Sequence, residues 1–473
     1  MMKMISGSGI CRYGLLAFFI LWVSFSISLT GAQTTIEVGE TNPPQNIVLL
    51  IVDGMGSAYV TPGSTPLALN GDPVDSADVP FFKNMISDGI LLPQIIVPTP
   101  STGPAHSVII TGFSGAEQEM VELDDATIYD VLKNEGFLCI AIMHMGDFSG
   151  MCNEQNIILY SPSNSISTPY LHVQVNDATV PEDIVRELEF QKQELPGYLE
   201  GTDGLDSYIA YSDWELDASR DIVTLMARQH PDMKYILTIN VGVVDSAGHY
   251  NGVDGYIGSI EGVDSKLEPL YSAARDSNTA LIITADHGMA FKTPESSRGG
   301  HASEDYYSSE AVTVPLLIIS PNVAPGMDQG RYGQEDLAPT LLSILDIPAQ
   351  LRYSDGEAIP VKDYADLRVS VNSESDVEVI QGSEVVSGGS GDIMYIFTGL
   401  KPKTNYIVRV FNGKDILEQS VHLDVDRLMR FDTVVSNGDT IVWDGRTTRR
   451  SVASVMIFIV IIGGLLLINR IRD

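Results

Sequence analysis

Short runs of aliphatic residues alternate with longer amphipathic stretches between about residues 45 and 350. Such continuous apolar runs are typical of strands that are covered on both faces. We predict strands at Asn46–Val52, Ile90–Val97, Cys139–Met143, Tyr235–Val241, Ala280–Thr284 and Val314–Ser320, and helices at Thr127–Asn134, Ala218–Gln229, Ile257–Arg275 and Asp336–Leu345. This alternation predicts an α/β domain over residues 45–350, with a mostly parallel sheet and helices on both faces.

Residues 364–440 show a different pattern, in which apolar and polar positions alternate between Gly, Ser, Asn and Pro. Strand-like segments lie at Leu367–Val371, Val377–Val379, Ile393–Phe397 and Tyr406–Phe411. They predict a small β-sandwich-like domain. The segment Gly399–Val410 resembles the turn and strand of fibronectin-type modules. No catalytic cluster stands out in this region of the sequence, so we expect it to be a spacer or an interaction module.

The first 32 residues have the order of a secretory signal peptide. Lys3 and Arg12 precede the apolar stretch Leu15–Leu29, and the small residues Thr30, Gly31 and Ala32 follow it. An uncleaved N-terminal anchor is the alternative interpretation. We therefore expect an exported protein.

The stretch Ser451–Ile468 carries no charged residue and is rich in Val, Ile and Leu. As a helix it would rise about 27 Å, which is enough to cross the hydrocarbon core of a bilayer. Arginines lie on both sides of it, so the signal peptide decides the orientation. We predict a protein of the cell membrane with a single C-terminal span at 451–468 and the α/β domain outside the cell.

The charge composition of the chain argues against one class of binding partner. The chain has 62 acidic and 28 basic residues, a formal net charge of −34. A nucleic-acid-binding surface needs a basic face, so we expect none. Cys11 lies in the signal segment, and an oxidising exterior would allow Cys139 and Cys152 to form a disulfide. The sequence leaves that pairing open.

Polar residues with glycine neighbours follow the ends of three predicted strands. Asp53 comes directly after the first strand, Asp245 and His249 follow the strand at Tyr235, and Asp286 and His287 follow the strand at Ala280. Parallel strands would gather these loops at one edge of the sheet. Carboxylate and imidazole are ligands that suit zinc, manganese or iron. Together with His301 in a Gly-Gly-His loop, these residues predict a metal centre, although each motif alone is more often an ordinary turn or surface pair.

The candidate nucleophile is Thr102, in the segment Ser101–His106 that follows the strand at Ile90. Pro104 fits the first turn of a helix that continues to Ile110, because its missing N–H is not needed there. Thr102 would then lie at a helix N-terminus, where free N–H groups and the helix dipole favour an anion. The alternative is that Thr102 only caps this helix.

The ordered set of these residues resembles the alkaline phosphatase superfamily. Asp245-Ser-Ala-Gly-His249 is similar to the Asp-x-Ala-Gly-His signature of alkaline phosphatases and to the Asp-Ser-x-Gly-His of nucleotide pyrophosphatase/phosphodiesterases. The segment from Thr102 to Thr111-Gly112 resembles the Thr-x-Pro-x-His…Thr-Gly nucleophile segment of the latter branch. The resemblance covers residues 45–350.

The resemblance implies a metal-dependent hydrolase of small phosphate esters. Two divalent ions are implied, with zinc expected and manganese or iron as alternatives. One ion would be held by Asp245, His249 and His301, and the other by Asp53, Thr102, Asp286 and His287. Thr102 would attack phosphorus and form a phosphothreonine intermediate. The choice between monoesters and diesters is left open.

Two features depart from the alkaline phosphatase pattern. Asn240 stands where a glutamate would hold magnesium, so we expect no third metal site. No phosphate-binding arginine can be matched in residues 112–233, although His144–Asp147 follows a predicted strand and would reach the same edge.

Three other functions remain as alternatives. Sulfatases share the fold but resemble a Cys/Ser-x-Pro-x-Arg segment, which is absent at Ser101–His106. Phosphosugar mutases also share the fold, but they are cytoplasmic, unlike a chain with a signal peptide. The third alternative is an inactive cell-surface or envelope binding protein that retains the fold.

Overall fold

Two large β-sheets, each with its own hydrophobic core, organise the described part of the protein. The structure is a computed structural model and describes residues 33–144, 150–162, 166, 168–347, 351–413 and 415–431. The predicted signal peptide and the predicted span at 451–468 therefore lie outside the described residues. Within them, no helix combines the length and the apolar character needed to cross a bilayer.

The larger sheet forms the core of the α/β domain. Its ten strands are β2 (Asn46–Val52), β3 (Ile90–Ile96), β4 (Leu138–His144), β5 (Ile157–Ser161), β6 (His172–Val175), β7 (Tyr235–Val241), β8 (Thr279–Thr284), β11 (Thr313–Ile319), β12 (Gly326–Met327) and β13 (Tyr332–Gly333). They are ordered β12-β3-β11-β8-β2-β7-β4-β5-β6, and β13 also pairs with β3. All seven residues of β2 and of β7 are buried, so both faces of the central strands are covered.

The α-helices alternate with these strands, as the sequence pattern predicted. They are α1 (Ser57–Val60), α2 (Pro80–Met85), α3 (Thr102–Thr111), α4 (Gln118–Val121), α5 (Ile128–Asn134), α6 (Gly150–Glu154), α7 (Glu182–Leu199), α8 (Gly204–Gln229), α9 (Val243–Asp276), α10 (Ser309–Val312) and α11 (Leu337–Ile344). Gly252, with φ of 70°, interrupts α9. Two short 3-10 helices lie at Glu304–Tyr306 and Gln334–Asp336, and a two-stranded hairpin joins β9 (Ala290–Phe291) to β10 (Gly299–Gly300).

The large sheet is mixed rather than almost wholly parallel. β2 runs parallel to β7 and β8, and β4 runs parallel to β5 and β7. β11, predicted as Val314–Ser320, runs antiparallel to both β3 and β8, and β6 runs antiparallel to β5. The chain between β8 and β11 stays at the carboxyl edge of the sheet, where it forms the loop that carries His301. β11 therefore starts at that edge and runs back, without a crossover to the opposite edge.

The second sheet contains a strand that the sequence pattern did not predict. Its six strands are β1 (Gln33–Glu37), β14 (Ala365–Gln381), β15 (Glu384–Leu400), β16 (Thr404–Asn412), β17 (Asp415–Leu423) and β18 (Arg427–Phe431). β1 precedes the α/β domain in the chain but pairs in parallel with β15. The region predicted as 364–440 is therefore β-rich as expected, but it incorporates residues from the other end of the chain.

β14 joins two segments that were predicted as separate strands. Its first part, at Leu367–Val371, pairs with β18, and its second part, at Asp376–Ile380, pairs with β16. The pairing with β15 shifts register between Ser370 and Ser375. Such shifts bend a strand. Side chains from both parts, including Val369 and Val379, pack into one hydrophobic core.

The second sheet joins the α/β domain at the edge opposite the carboxyl ends of the parallel strands. Ile319, at the end of β11, pairs with Leu281 near the start of β8. Asn322 follows, and its side-chain amide donates to the carbonyl of Ile344 (2.9 Å) and to the hydroxyl of Tyr364 (3.1 Å). These contacts place the junction near the amino ends of the parallel strands.

A buried lysine holds this junction together. The ammonium group of Lys362, whose side chain is 4% exposed, lies 2.8 Å from Asp346, 3.0 Å from Asp366 and 3.1 Å from Asp426. Burial alone would lower the pKa of Lys362, but the three carboxylates outweigh it and raise that pKa. Burial raises the pKa of Asp366 to about 6, against the opposing effect of Lys362. The junction thus contains one cation shared by three carboxylates.

The two described cysteines do not form a disulfide. Cys139 lies in β4 and Cys152 in α6, and both are buried free thiols. Burial raises the pKa of Cys139 to about 12 and that of Cys152 to about 11. Neither is therefore a reactive thiolate near neutral pH.

Candidate metal centre

Strand pairing brings the predicted site residues to one edge of the large sheet. Asp53 follows β2, Asp286 and His287 follow β8, and Asp245 lies in the first turn of α9, just after β7. β2 is hydrogen-bonded in parallel to both β7 and β8, so the three carboxyl ends are adjacent. The predicted meeting of distant segments at this edge is thus what the strand order produces.

One group of potential ligands consists of Asp53, Asp286 and His287. Each offers a ligand atom, and these atoms all lie within 4.8 Å of one another. Nε2 of His287 lies 3.5 Å from Oδ1 of Asp53 and 3.4 Å from Oδ2 of Asp286. The hydroxyl of Thr102 lies 3.3 Å from the same Nε2 atom. All four side chains are buried.

A second group consists of Asp245, His249 and His301, whose ligand atoms also lie within 4.8 Å of one another. Asp245 and His249 are four residues apart in α9, a spacing that places them on one face of the helix. Oδ1 of Asp245 lies 3.3 Å from Nε2 of His249 and 3.4 Å from Nε2 of His301. The rings of His287 and His301 stack with their centroids 3.7 Å apart, so the two groups adjoin.

Backbone carbonyls orient all three imidazoles. Nδ1 of His249 lies 3.1 Å from the carbonyl of Gly299, Nδ1 of His287 lies 3.0 Å from that of Gly288, and Nδ1 of His301 lies 2.7 Å from that of Pro100. An Nδ1–H that donates to a carbonyl leaves Nε2 with a free lone pair. All three Nε2 atoms thus face the carboxylates as potential metal ligands.

Backbone amides orient the carboxylate of Asp286. Its Oδ1 accepts hydrogen bonds from the N–H of Gly54 (3.0 Å) and of His287 (2.7 Å). Its Oδ2 is buried and accepts no hydrogen bond from the part of the chain that the structure describes. A buried carboxylate oxygen without a donor is costly. A bound cation would remove this cost, so the donor set fits a metal ion.

Glycine allows the loop after β2 to approach the helix that carries Asp245. Gly54 has φ of 82°, and a Cβ atom on it would lie 2.9 Å from the Cα atom of Asp245. The hydroxyl of Tyr256 donates to the carbonyl of Gly54 (2.7 Å) and accepts from the N–H of Gly56 (2.9 Å). Tyr256 therefore holds the loop that carries Asp53. The sequence pattern did not single out this tyrosine, because a Tyr within a helix carries no local signal of such a role.

The ionisation of the second group favours metal binding. Burial alone would raise the pKa of Asp245, but the imidazoles of His249, His287 and His301 outweigh it and lower that pKa. Burial lowers the pKa of His301 to about 4, and His287 acts in the same direction. The hydrogen bond with Asp245 raises the pKa of His249. At neutral pH the group thus offers an ionised carboxylate and a neutral His301.

Thr102 lies at the start of α3, as predicted. The helix runs from Thr102 to Thr111 with Ser101 as its N-cap, and Pro104 lies within its first turn. Thr102 is only 9% exposed. Its hydroxyl therefore lies at a helix N-terminus and also beside the group of potential ligands that contains Asp53.

Two polar residues behind the ligands have partners that the sequence did not predict. Nε2 of His106 lies 2.8 Å from the side-chain oxygen of Asn240, and both residues are fully buried. That no third metal is held at Asn240 stays a prediction. His106 had no predicted partner. The segment at residues 145–149, which was expected to reach this edge, lies outside the described residues.

The fold, together with a match to a family model, defines an α/β protein of the alkaline phosphatase superfamily. The family model described as Sulfatase matches residues 45–347. The chain therefore belongs to this family, and the resemblance inferred from the motifs is confirmed at the level of the superfamily.

Curated relatives match only a short part of the chain. The 2,3-bisphosphoglycerate-independent phosphoglycerate mutase of Vesicomyosocius okutanii subsp. Calyptogena okutanii is 35% identical over 115 residues, which is 24% of this chain and 22% of that enzyme. The enzyme of the same name from Natronomonas pharaonis is 34% identical over 123 residues, 25% of this chain and 23% of that enzyme. The chain thus spans less than a quarter of the length of these relatives.

Solved structures resemble the chain at low sequence identity. The alkaline phosphatase PafA is 12% identical with a TM-score of 0.47, covering 68% of this chain and 99% of that one. A protein of the alkaline phosphatase superfamily from Vibrio parahaemolyticus is 14% identical with a TM-score of 0.46, covering 87% of each chain. The lipoteichoic acid synthase LtaP from Listeria monocytogenes is 11% identical with a TM-score of 0.46, covering 70% of this chain and 79% of that one. Likenesses at this level do not bear on activity.

Proposed function

We propose that this protein hydrolyses phosphate esters with two divalent metal ions and a threonine nucleophile. The observation that carries the proposal is the position of Thr102. Its hydroxyl, at the start of α3, lies 3.3 Å from Nε2 of His287, and the His287 ring stacks on that of His301. A potential nucleophilic oxygen thus lies beside one group of potential ligands, and that group adjoins the other.

The two groups would hold one ion each. One ion would be bound by Asp245, His249 and His301. The other ion would be bound by Asp53, Thr102, Asp286 and His287. Zinc suits such carboxylate and imidazole sets, and manganese or iron are the alternatives. Bound ions would supply positive charge that lowers the pKa of a nearby hydroxyl and neutralises phosphate oxygens.

The residues of the chain would carry out a double displacement. The hydroxyl of Thr102 loses its proton to solvent water and its oxygen attacks phosphorus, while the bond between phosphorus and the leaving-group oxygen breaks. That oxygen takes up a proton from water. Water then attacks the phosphothreonine, which restores the threonine hydroxyl and releases phosphate. The first N–H groups of α3 face the same region and favour the negative charge that develops there.

The nucleophile segment supports phosphate over sulfate as the substrate class. Thr102, Pro104 and His106 stand where sulfatases have the Cys/Ser-x-Pro-x-Arg pattern. Sulfate-ester hydrolysis remains the second candidate, because the matching family model is described as Sulfatase. An inactive binding protein is the third candidate.

Hydrolysis of three model esters by the purified protein tests this proposal. We expect release of p-nitrophenol from p-nitrophenyl phosphate or from bis-p-nitrophenyl phosphate, and little from p-nitrophenyl sulfate. EDTA is expected to abolish the activity, and zinc, manganese or iron to restore it. The preferred phosphate substrate would decide between monoesterase and diesterase.

Substitution of the nucleophile completes the test. Thr102→Ala is expected to lower kcat by at least about a thousandfold and to prevent covalent labelling by phosphate, whereas Thr102→Ser retains part of both. The matched control is Thr111→Ala, which removes a threonine at the other end of the same helix. Full activity of Thr102→Ala, or activity that survives EDTA, would overturn the mechanism. A preference for the sulfate ester would favour the second candidate, and inactivity on all three esters the third.

We further propose that the protein is exported and is tethered to the cell membrane by residues 451–468. The apolar stretches Leu15–Leu29 and Ser451–Ile468 support this proposal, and strand register shows where the described chain begins and ends. Gln33 pairs with Met394, Met394 with Ser370, and Ser370 with Arg430. The start of β1 and the end of β18 therefore lie in one row of the second sheet, about 14 Å apart.

Both ends of the described chain thus lie in the second sheet, which joins the α/β domain at the edge opposite the candidate metal centre. In this arrangement the metal centre would face away from the bilayer. We therefore propose that the substrate is a phosphate ester that reaches the protein from the outside medium.

A further inference from the structure

A fully buried histidine connects the nucleophile segment to two other elements of the α/β domain. Nδ1 of His106 lies 2.8 Å from the carbonyl of Thr102 and 3.4 Å from Oδ2 of Asp286. Its Nε2 lies 2.8 Å from the side-chain oxygen of Asn240, the residue before the last in β7. One imidazole thus contacts the start of α3, the end of β7 and the loop after β8.

We propose that His106 and Asn240 form a positioning pair that sets the relative geometry of Thr102 and Asp286. The inference rests on the proposed function, since it assigns Thr102 as nucleophile and Asp286 as metal ligand. The pair itself would contact neither substrate nor metal.

The contacts of His106 with Thr102 and with Asp286 explain why such a pair is needed. Asp286 has one oxygen fixed by two backbone N–H groups, whereas Oδ2 is left to face the site. His106 limits the movement of this oxygen from behind, and it bonds at the same time to the carbonyl of the residue that carries the nucleophile. Asn240 in turn anchors the ring to the central sheet. Loss of either partner would therefore loosen the nucleophile and a ligand together.

The magnitude of such effects is known from comparable sites. Removal of a group that orients a metal ligand costs 10- to 100-fold in metal affinity or activity. A displacement of a reacting group by about 1 Å costs about a hundredfold in rate. These values set the scale of the experiment.

The experiment compares His106→Ala, Asn240→Ala and the double variant with a matched control pair. Tyr129 and Thr238 form a hydrogen bond of the same length, 2.8 Å, between a helix and the same strand β7, and both are fully buried. Tyr129→Phe and Thr238→Val therefore remove an equivalent buried contact that does not reach the site. Zinc affinity by chelator competition, kcat, KM and thermal stability are measured for each protein.

We expect each site variant to lose about 10- to 100-fold in affinity for one of the two zinc ions, with the other unchanged. At saturating zinc, kcat falls by at least about tenfold with a smaller change in KM, and the double variant is no worse than the worse single one. His106→Gln, which keeps a polar group in the ring's place, recovers part of the loss. The control variants lose stability only.

Equal effects of the site and control variants on zinc affinity and kcat would overturn the inference, as would independent, multiplying losses in the double variant. If His106→Ala fails to fold, His106→Gln and Asn240→Ser provide the same comparison. If the wild-type protein binds zinc but hydrolyses no ester, the proposed function fails, whereas zinc affinity still tests the contact with Asp286.

Discussion

The hydroxyl of Thr102 lies 3.3 Å from Nε2 of His287, although 185 residues separate the two positions in the chain. Thr102 begins α3, and His287 follows β8, so the contact depends on the strand order at the carboxyl edge of the sheet. The chemistry proposed for this protein depends on that contact.

Zinc binding by Asp245, His249 and His301 should depend on whether the ring of His249 is protonated. The pKa of His249 is raised above its ordinary value of 6.5, whereas that of His301 is lowered to about 4. A raised pKa means that protons compete more strongly for that ring, so zinc affinity should fall about tenfold per unit as pH drops below the pKa of His249. Chelator competition between pH 5 and 8 on Asp53→Asn isolates this group. A flat profile, or a slope of two protons, would contradict the prediction.

A methyl group at Gly288 should disrupt the site from behind His287. A Cβ atom there would collide with the backbone carbonyl of Glu310 and would lie 3.0 Å from the Cα atom of Gly56. Because both obstacles are backbone, Gly288→Ala should cost about 1–3 kcal/mol of unfolding free energy and lower kcat by about a hundredfold. Urea unfolding and steady-state kinetics measure the two effects.

The control for this substitution is Gly197→Ala. Gly197 lies in α7, and a Cβ atom on it would have no neighbour within 4 Å. Alanine there should raise the unfolding free energy by about 0.5 kcal/mol, because glycine lowers helix stability, with activity unchanged. Similar changes in unfolding free energy and kcat in the two variants would show that the site tolerates a Cβ atom at Gly288.

Removal of the central cation should weaken the junction between the two sheets. Lys362→Met leaves Asp346, Asp366 and Asp426 buried together without a counter-charge, so we expect a loss of about 3–5 kcal/mol in unfolding free energy. Thermal and urea unfolding measure this loss. Unchanged stability would show that the three carboxylates need no cation.

Asp366→Asn, unlike Lys362→Met, should not destabilise the folded protein near neutral pH. The pKa of Asp366 is raised from 3.8 to about 6, so the folded protein holds a proton that the unfolded chain has already lost. The stability contributed by this group is therefore lost as pH rises from about 4 through 6. The amide should abolish that pH dependence and leave stability at pH 8 equal or higher. A large loss at pH 8 would contradict this prediction.

Truncation tests the attachment and the role of β1. A chain that ends near Arg446 should leave the membrane fraction as soluble, active protein, because the apolar stretch Ser451–Ile468 is removed. Among such truncated chains, one that starts at residue 40 should melt several degrees below one that starts at residue 33. The longer chain keeps β1, whose residues pair with Met394–Thr398 of β15. Retention in the membrane fraction, or equal melting temperatures, would argue against these two roles.

Local pattern predicted most elements of the α/β domain. In this domain β2 and β7 have the predicted bounds, and the other predicted strands differ by one residue at one or both ends. Buried strands are continuous apolar runs, and this signal depends only on neighbouring residues. The helix at Ala218–Gln229 was predicted too short, because α8 begins at Gly204 in a stretch with weak periodicity.

Motif order likewise selected residues that the structure brings together. Asp53, Asp245, His249, Asp286 and His287 were selected because they follow the ends of strands, and His301 because it lies in a Gly-Gly-His loop. The structure places these six residues in two adjoining groups. Whether they hold metal ions remains a prediction.

Only the tertiary structure decided the features that depend on distant parts of the chain. The antiparallel direction of β11, the pairing of β1 with β15, and the contact between His106 and Asn240 have no local signal in the sequence. Strand direction depends on the path of the connecting loop, and a buried polar contact depends on which elements pack together. The sequence by itself thus determined the elements and the chemical groups, whereas long-range packing decided their partners.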